Sequence, residues 1–347
     1  MKYRHVVITR PGGPEVLQMV EDELPEPKAG EVRVKVLATG VAFTDVMMRE
    51  GVYPGVPKLP YSPGYDIVGT VDKLGAGVVS LAVGERIVAL TMVGGYSEFL
   101  CVPAADLVSV PVGVDPVQAV SLVLHYTTAY QMLHRVARVK AGERIVIHGA
   151  GGGVGTALLE LGRLADLEMY GTEAEAKHDL VAQLGGFPID YQHEDFGDRL
   201  RQLAPEGVDA VFDSIGGNNL LRSYKTLRQG GRLVSYGFLS AFTGKGNKNF
   251  KIAATLLRVQ ILNLLPDGRR ASFYNITALK AQHPDWYRED LTTLLNLLAQ
   301  GQIQPIIADR LPLEEAARAH ALLDQGAVSG KLVLMCNTSP DVEDRWH

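Results

Sequence analysis

"RIVIHGAGGGVGTALLELGRLADLEMYGTE", residues Arg144–Glu173, passes from an apolar run through a glycine cluster into a second apolar stretch that ends in an acid. A buried parallel strand that stops at glycine and opens a helix leaves amide N–H groups unpaired at its end. With the helix dipole behind them, those donors favour a phosphate. The pattern is Ala150-x-Gly152-x-x-Gly155 rather than a strict G-x-G-x-x-G, with further glycines at 149, 151 and 153. Gly152 lets the backbone approach a pyrophosphate and Gly155 lets the helix pack closely on the strand. Glu173 closes the next strand near the spacing expected of a carboxylate on a ribose. A plain glycine turn followed by an exposed glutamate is the blander reading, and the strand–turn–helix–strand context favours the nucleotide cradle.

Outward from this stretch the same rhythm continues. The helix "AKHDLVAQLGG", the apolar-acidic turn "FPIDY", a helix near "EDFGDRLRQLA", the strand "VDAVFDSIGG", a helix near "NNLLRSYKTLRQGG" and the strand "RLVSYGF" follow in order. Strands alternating with helices of this length predict right-handed crossovers and a parallel sheet. Residues 240–270 break the rhythm with "SAFTGKGNKNFK" and "LLPDGRR" and are expected to form a mobile excursion. Upstream, short β-type runs separated by Pro and Gly ("HVVITR", "EVRVKVLATGV", "IVGTVDKLG", "ERIVAL", "SEFLCV") predict a compact β-rich domain. "VDPVQAVSLVLHYTTAYQML" reads as helix, with Asp115 as N-cap and Pro116 at the first helical position. The tail, with the strands "QPIIA" and "GKLVLMC" around the helix "LEEAARAHALLDQG", is expected to return to the first domain. The boundaries read as 1–124 for the β-rich domain, 125–285 for the nucleotide domain with its excursion at 240–270, and 286–347 for the return.

At 347 residues, 46% hydrophobic and 21% charged, the composition is that of an ordinary globular protein of two domains. A net charge of −5 gives no bulk attraction to nucleic acid or to an anionic membrane. Two cysteines, Cys101 and Cys336, supply neither a disulfide framework nor a four-cysteine zinc site. The opening "MKYRHVVITRPGG" lacks the apolar core of a secretory signal. "ATLLRVQILNLL", interrupted by Arg258, Gln260 and Asn263, is too short to span a bilayer. The expectation is a cytoplasmic protein with no nucleic-acid partner and no membrane association.

On "GVAFTDVMMREGVYP", "PYSPGYDIVGTVDKLGAGV", "GGYSEFLCVP", "TTAYQML", the Arg144 stretch, "LGGFPIDYQHEDF", "VDAVFDSIGG", "LRQGGRLVSYGF" and "EAARAHALLDQGAVSGKLVL", the chain resembles the medium-chain dehydrogenase/reductase superfamily. Within it the likeness is to the zinc-free quinone oxidoreductase branch and its vesicle amine transport protein 1 relatives. The resemblance runs nearly the whole length. It implies an α/β fold with a Rossmann doubly wound parallel sheet, a GroES-like β-rich catalytic domain, and an active-site cleft between the two. Zinc alcohol dehydrogenases of this superfamily take catalytic metal with a Cys just after "GV" and a His in "GHE". Here those positions are Ala42 and Tyr65, with Asp66 for the Glu. Neither replacement supplies a zinc ligand of the usual kind, so no metal is expected.

Without a Lewis acid, hydride delivery suits a carbon that is already electrophilic, as in quinones and α,β-unsaturated carbonyls. The resemblance places Tyr53, Asp45 and Phe43 at the catalytic site. Tyr53 is equally readable as a loop tyrosine packed beside Pro54, and Asp45 as a helix cap. Many quinone reductases carry Asn where this chain has Ala42, and Phe43 with Met47 implies a more apolar pocket. Thr128 matches a contact to the nicotinamide carboxamide, against the alternative of a core-facing helix threonine. Tyr236, Gly237 and Phe238 of "SYGF" and Lys331 of "GKLVL" join Ala150, Gly152, Gly153, Val154 and Gly155 as implied cofactor residues. Glu173 favours the ribose diol of NADH, whereas Lys177 and Tyr191 match contacts to the 2′-phosphate of NADPH. NADPH is the expected cofactor, with NADH as the alternative. A homodimer is expected, joined through the cofactor-domain sheet, where the strand near "RLVSYGF" and the following apolar segment supply an edge. A rival from another class is a nucleotide-binding adaptor of the same fold with little turnover, using Lys245, Lys248, Lys251 and Arg258 on anionic lipid or a partner.

Overall fold

The computed structural model describes residues 1–53, 55–243, 245–326 and 328–336. The chain divides into two compact units, residues 1–124 with the segment from Leu291 onward, and His125–Asp290. Residues 337–347 of the expected return segment lie outside the described residues.

In the second unit six strands form one parallel sheet. Their order is Gly186–Asp190, Glu168–Glu173, Arg144–His148, Val208–Asp213, Leu227–Ser235 and Arg270–Phe273. This is the Rossmann order, whose direction reverses between the first and fourth strands in sequence. Covered on both faces, the central strands carry near-continuous apolar runs: Ile145, Val146, Ile147, Ala210, Val211 and Phe212 are all fully buried. Helix Gly153–Leu164 follows the glycine turn and buries Ala157, Leu158, Leu159 and Leu161. The helical run from Pro116 to Ala137 is capped by Asp115, whose carboxylate accepts from the amides of Val117 and Gln118. It widens into π-type turns at Leu122–Tyr126 and Gln131–Ala137.

Three expectations change here. "FPIDY" is no turn, because Gly186–Asp190 is a strand. Its proline masks it in the sequence, and Pro188 is tolerated because an edge strand needs only one of its two sides paired. Residues 240–270 are largely helical, with the 16-residue helix Lys248–Asn263 nucleated by Asn247, whose side chain accepts from the Phe250 amide. That helix buries Ile252, Thr255, Val259 and Leu262 at helical spacing. Finally, Leu227–Ser235 is not the sheet edge, since Arg270–Phe273 pairs along it and takes that position.

The first unit is built around Glu31–Val41. This 11-residue strand pairs antiparallel with Asp66–Leu74 over most of its length, with Phe99–Pro103 at its start and with Lys331–Met335 at its end. The core is Val32, Val34, Val36, Ile67, Val71, Ile87, Leu332 and Leu334. The late strand Lys331–Met335 therefore closes a sheet begun three hundred residues earlier. Among the described residues no helix is long and apolar enough to cross a membrane.

Candidate functional site

The glycine cluster in the second unit has a definite shape. Gly152 is the N-cap of helix Gly153–Leu164 in an extended conformation, and a Cβ added there would meet only the Gly149 carbonyl oxygen, at 3.4 Å. Gly155 is the opposite case, since a Cβ on it would collide with the Gly149 carbonyl and the Ala150 backbone. Ala150 is fully buried and packs where a Cβ on Gly171 would fall. Gly149 has φ +70°, which lets the chain turn sharply off the strand. The turn thus seals the helix onto the strand at Gly155 and leaves space above Gly152, beside the helix N-terminus. That arrangement fits a dinucleotide's pyrophosphate.

Glu173 and Lys177 flank this turn together. A Cβ on Gly151 would lie 2.8 Å from Lys177 Cδ and 3.0 Å from Glu173 Oε2. Glu173 does not point outward. It is 8% exposed, and its carboxylate accepts from the amides of Gly151 at 2.8 Å and Ala174 at 3.1 Å. Tyr236 lies close enough to Glu173 and Asp213 for both to help burial push its phenol well above the ordinary value. Gly237 follows it under the Ser214 carbonyl, where a Cβ would collide, and Phe238 stacks on Phe273 with centroids 5.0 Å apart. Tyr191 stands on the surface beyond the Gly186–Asp190 strand, 55% exposed. Thr128 is buried, and its hydroxyl hydrogen-bonds the Tyr274 phenol, which in turn donates to Gln131 Oε1 at 2.8 Å. Val154 is half-buried at the first turn of the helix.

The remaining residues belong to the first unit. Asp45 is the third residue of helix Phe43–Arg49, and its carboxylate reaches back to the backbone of the N-cap residue Ala42. It is fully buried, and its two oxygens accept from the amides of Ala42 at 2.9 Å and Gly64 at 3.2 Å. Burial raises its pKa to about 7 against the pull of those amides. Phe43 opens helix Phe43–Arg49, half-buried. Tyr53 is held by its amide on the Met47 carbonyl and is half-buried. Its hydroxyl lies 2.8 Å from the hydroxyl of Tyr65, the residue at the implied second ligand position, and the rings meet edge to face. Lys331, implied at the cofactor, is 1% exposed in this unit and places its ammonium 2.7 Å from Asp66 Oδ2. The other Asp66 oxygen accepts from the Gly40 amide. The lysine's charge is used inside the fold. Among the described residues no group of three or more His, Cys, Asp or Glu could hold a metal ion.

Sequence reasoning missed four residues here. Tyr65 reads in the sequence only as a missing ligand, and nothing in the sequence pairs it with Tyr53. His125 sits three residues ahead of Thr128, and its ring fills the space where a Cβ on Gly153 would project. Ser214, in "VDAVFDSIGG", donates to the His148 carbonyl at 3.0 Å and hydrogen-bonds Tyr236. Thr44 Oγ1 is buried without a hydrogen-bond partner, which is costly for a hydroxyl. Tyr65, Ser214 and Thr44 lie within motifs quoted above and His125 in the helical stretch just ahead of "TTAYQML", but only spatial neighbours distinguish them.

The comparisons agree with this architecture. Residues 28–112 match the alcohol dehydrogenase GroES-like domain and residues 184–334 the zinc-binding dehydrogenase domain. The synaptic vesicle membrane protein VAT-1 homolog of Danio rerio is 30% identical over 348 aligned positions, covering 99% of this chain and 71% of that protein. The quinone oxidoreductase of Rattus norvegicus is 29% identical, covering 93% of this chain and 95% of that protein. The crystal structure of Escherichia coli quinone oxidoreductase complexed with NADPH superposes with a TM-score of 0.85 at 28% identity, over 96% of this chain and 99% of that one. The chain belongs to the medium-chain dehydrogenase/reductase superfamily of oxidoreductases, with quinone oxidoreductases and VAT-1 homologues among its relatives.

Proposed function

We propose that the protein transfers hydride from NADPH to a quinone or an α,β-unsaturated carbonyl without a metal ion. The observation that carries this reading is the glycine turn, open above Gly152 and flanked by Lys177. It is supported by the relatives named quinone oxidoreductase and the NADPH-bound neighbour. NADPH, when bound, supplies the hydride. The chain holds the diphosphate at the N-terminus of helix Gly153–Leu164, and Tyr53 offers a hydroxyl to the acceptor oxygen as charge arrives there. Conjugation in the acceptor spreads that charge, so no Lewis acid is required. Neither Ala42 nor Tyr65, whose hydroxyl is engaged with Tyr53, replaces the ligands a zinc site needs. We place the activity in the cytoplasm. The test is a screen of NADPH and NADH against quinones, enones and simple aldehydes in the presence of a chelator. NADPH oxidation by quinones or enones, undiminished by the chelator, is expected. Turnover confined to simple aldehydes, or lost with chelator, overturns the reading.

Cofactor choice turns on Lys177 and Glu173. A charge-assisted contact from Lys177 to a 2′-phosphate is worth roughly 1.5–3 kcal/mol. Lys177→Ala is then expected to weaken NADPH by about tenfold or more and to leave NADH nearly unchanged. Because Glu173 also accepts from the Gly151 amide, the clean partner variant is Glu173→Gln, which keeps an acceptor and removes the charge. It is expected to shift preference further toward NADPH. Equal weakening of both cofactors in Lys177→Ala, measured by fluorescence titration, assigns Glu173 to the ribose instead.

We also infer a homodimer. Arg270–Phe273 is an edge strand, and helix Lys248–Asn263 contacts it. Phe250, Leu257 and Ile261 of that helix, with Leu264 just beyond, are 74%, 56%, 53% and 80% exposed. An open edge beside an apolar stripe favours self-pairing about a two-fold axis. Light scattering at micromolar concentration is expected to return twice the chain mass. The same stripe, with Lys248 and Lys251 near its start, is what favours the adaptor reading. A monomer that binds anionic liposomes and shows no turnover would replace both the dimer and the enzyme.

A further inference from the structure

Gly151, Gly152 and Gly153 face three different surroundings. A Cβ on Gly151 would meet Lys177 and Glu173, one on Gly152 would meet only the Gly149 carbonyl, and one on Gly153 would collide with the imidazole of His125. The cradle therefore has an open centre and a wall on each side. One wall is the Lys177 side chain beside the Glu173 carboxylate, which is already engaged by the Gly151 amide, and the other is the imidazole of His125. His125 is 9% exposed and lies in the π-type turn Leu122–Tyr126, so its ring is fixed by packing beside the first residue of helix Gly153–Leu164. Wide turns of this kind shift side chains off the ordinary helical face, and they recur at functional sites.

We propose that His125 donates an imidazole N–H to the diphosphate bridge of the dinucleotide, across the open glycine from Lys177. A diphosphate carries two charges that the partial charge of one helix terminus only partly offsets. A ring nitrogen held at the same terminus adds a directed donor whose orienting entropy is already lost in the folded chain. Glycine at 153 follows from this, because any side chain there would displace the ring. His125 thus separates two functions within one cradle: it serves every ligand that carries the diphosphate, whereas Lys177 serves only one that carries the 2′-phosphate. The inference rests on the cofactor reading above.

The test is calorimetric titration of NADPH, NADH and ADP-ribose into wild type, His125→Leu and His125→Gln. All three ligands carry the diphosphate, so His125→Leu is expected to weaken all three by a common factor of about tenfold. His125→Gln keeps an N–H donor of similar reach and is expected to recover most of that loss. Unchanged affinities in His125→Leu overturn the assignment, and so does a glutamine variant as weak as the leucine one, which makes the ring a packing element. Wild type that binds none of the three overturns the cofactor reading and this inference together. Wild-type binding with an indifferent His125→Leu overturns the histidine alone.

Discussion

Lys331→Met is expected to destabilise the protein by about 3–5 kcal/mol, the usual result of removing one partner from a buried ion pair. The ammonium lies 2.7 Å from Asp66 Oδ2, with both side chains almost fully buried. Methionine fills the same length and removes the charge, so Asp66 is left without its counter-charge in a dry site, close enough to Asp45 to act on it electrostatically. Gly40 narrows the escape routes, since its amide already binds the other Asp66 oxygen and a Cβ there would collide with the lysine. The double variant Asp66→Asn with Lys331→Met removes both charges and is expected to regain much of the loss, because two buried neutral groups carry no unpaired charge. Equilibrium urea unfolding measures both. A single variant as stable as wild type, but with weakened ADP-ribose binding, would restore Lys331 to the cofactor and contradict the pairing described above.

The Lys331 case shows where the sequence stops being legible. Short-range patterns read well: the run "EVRVKVLATGV" coincides with the strand Glu31–Val41, and Asp115-Pro116 marks the start of a helix. These depend on neighbours within a few residues, which the sequence contains. Local signals fail where tertiary position overrides them. Pro188 hides an edge strand, and the Gly- and Lys-rich stretch before Asn247 hides the helix it introduces. Side-chain partners at long range are not legible at all. Asp66 and Lys331 are 265 residues apart, Tyr53 and Tyr65 meet through a loop, and His125 reaches Gly153 from another helix. The motif locates the cradle, but only packing identifies its walls.

Within the cradle itself the largest expected effect on function comes from Gly152→Val. At this residue φ is −79° and ψ is 177°, an extended conformation that a β-branched residue adopts readily, and its Cβ would find only the Gly149 carbonyl at van der Waals distance. The ligand-free fold is therefore expected to lose no more than about 1 kcal/mol, the difference between glycine and valine at an N-cap. The isopropyl group would occupy the space above the helix N-terminus, where the diphosphate must approach to reach the amides. Losing two or more charge-assisted contacts there predicts a fall in affinity of about a hundredfold for NADPH, NADH and ADP-ribose alike. Gly155→Val, three residues on in the same motif, is expected to do the reverse. Its Cβ would collide with the backbone of the turn, so the unfolding midpoint should drop before any ligand is added. One glycine is thus required by the ligand and the other by the fold. A Gly152→Val protein that titrates normally with ADP-ribose would show that the diphosphate binds elsewhere, whatever the motif implies.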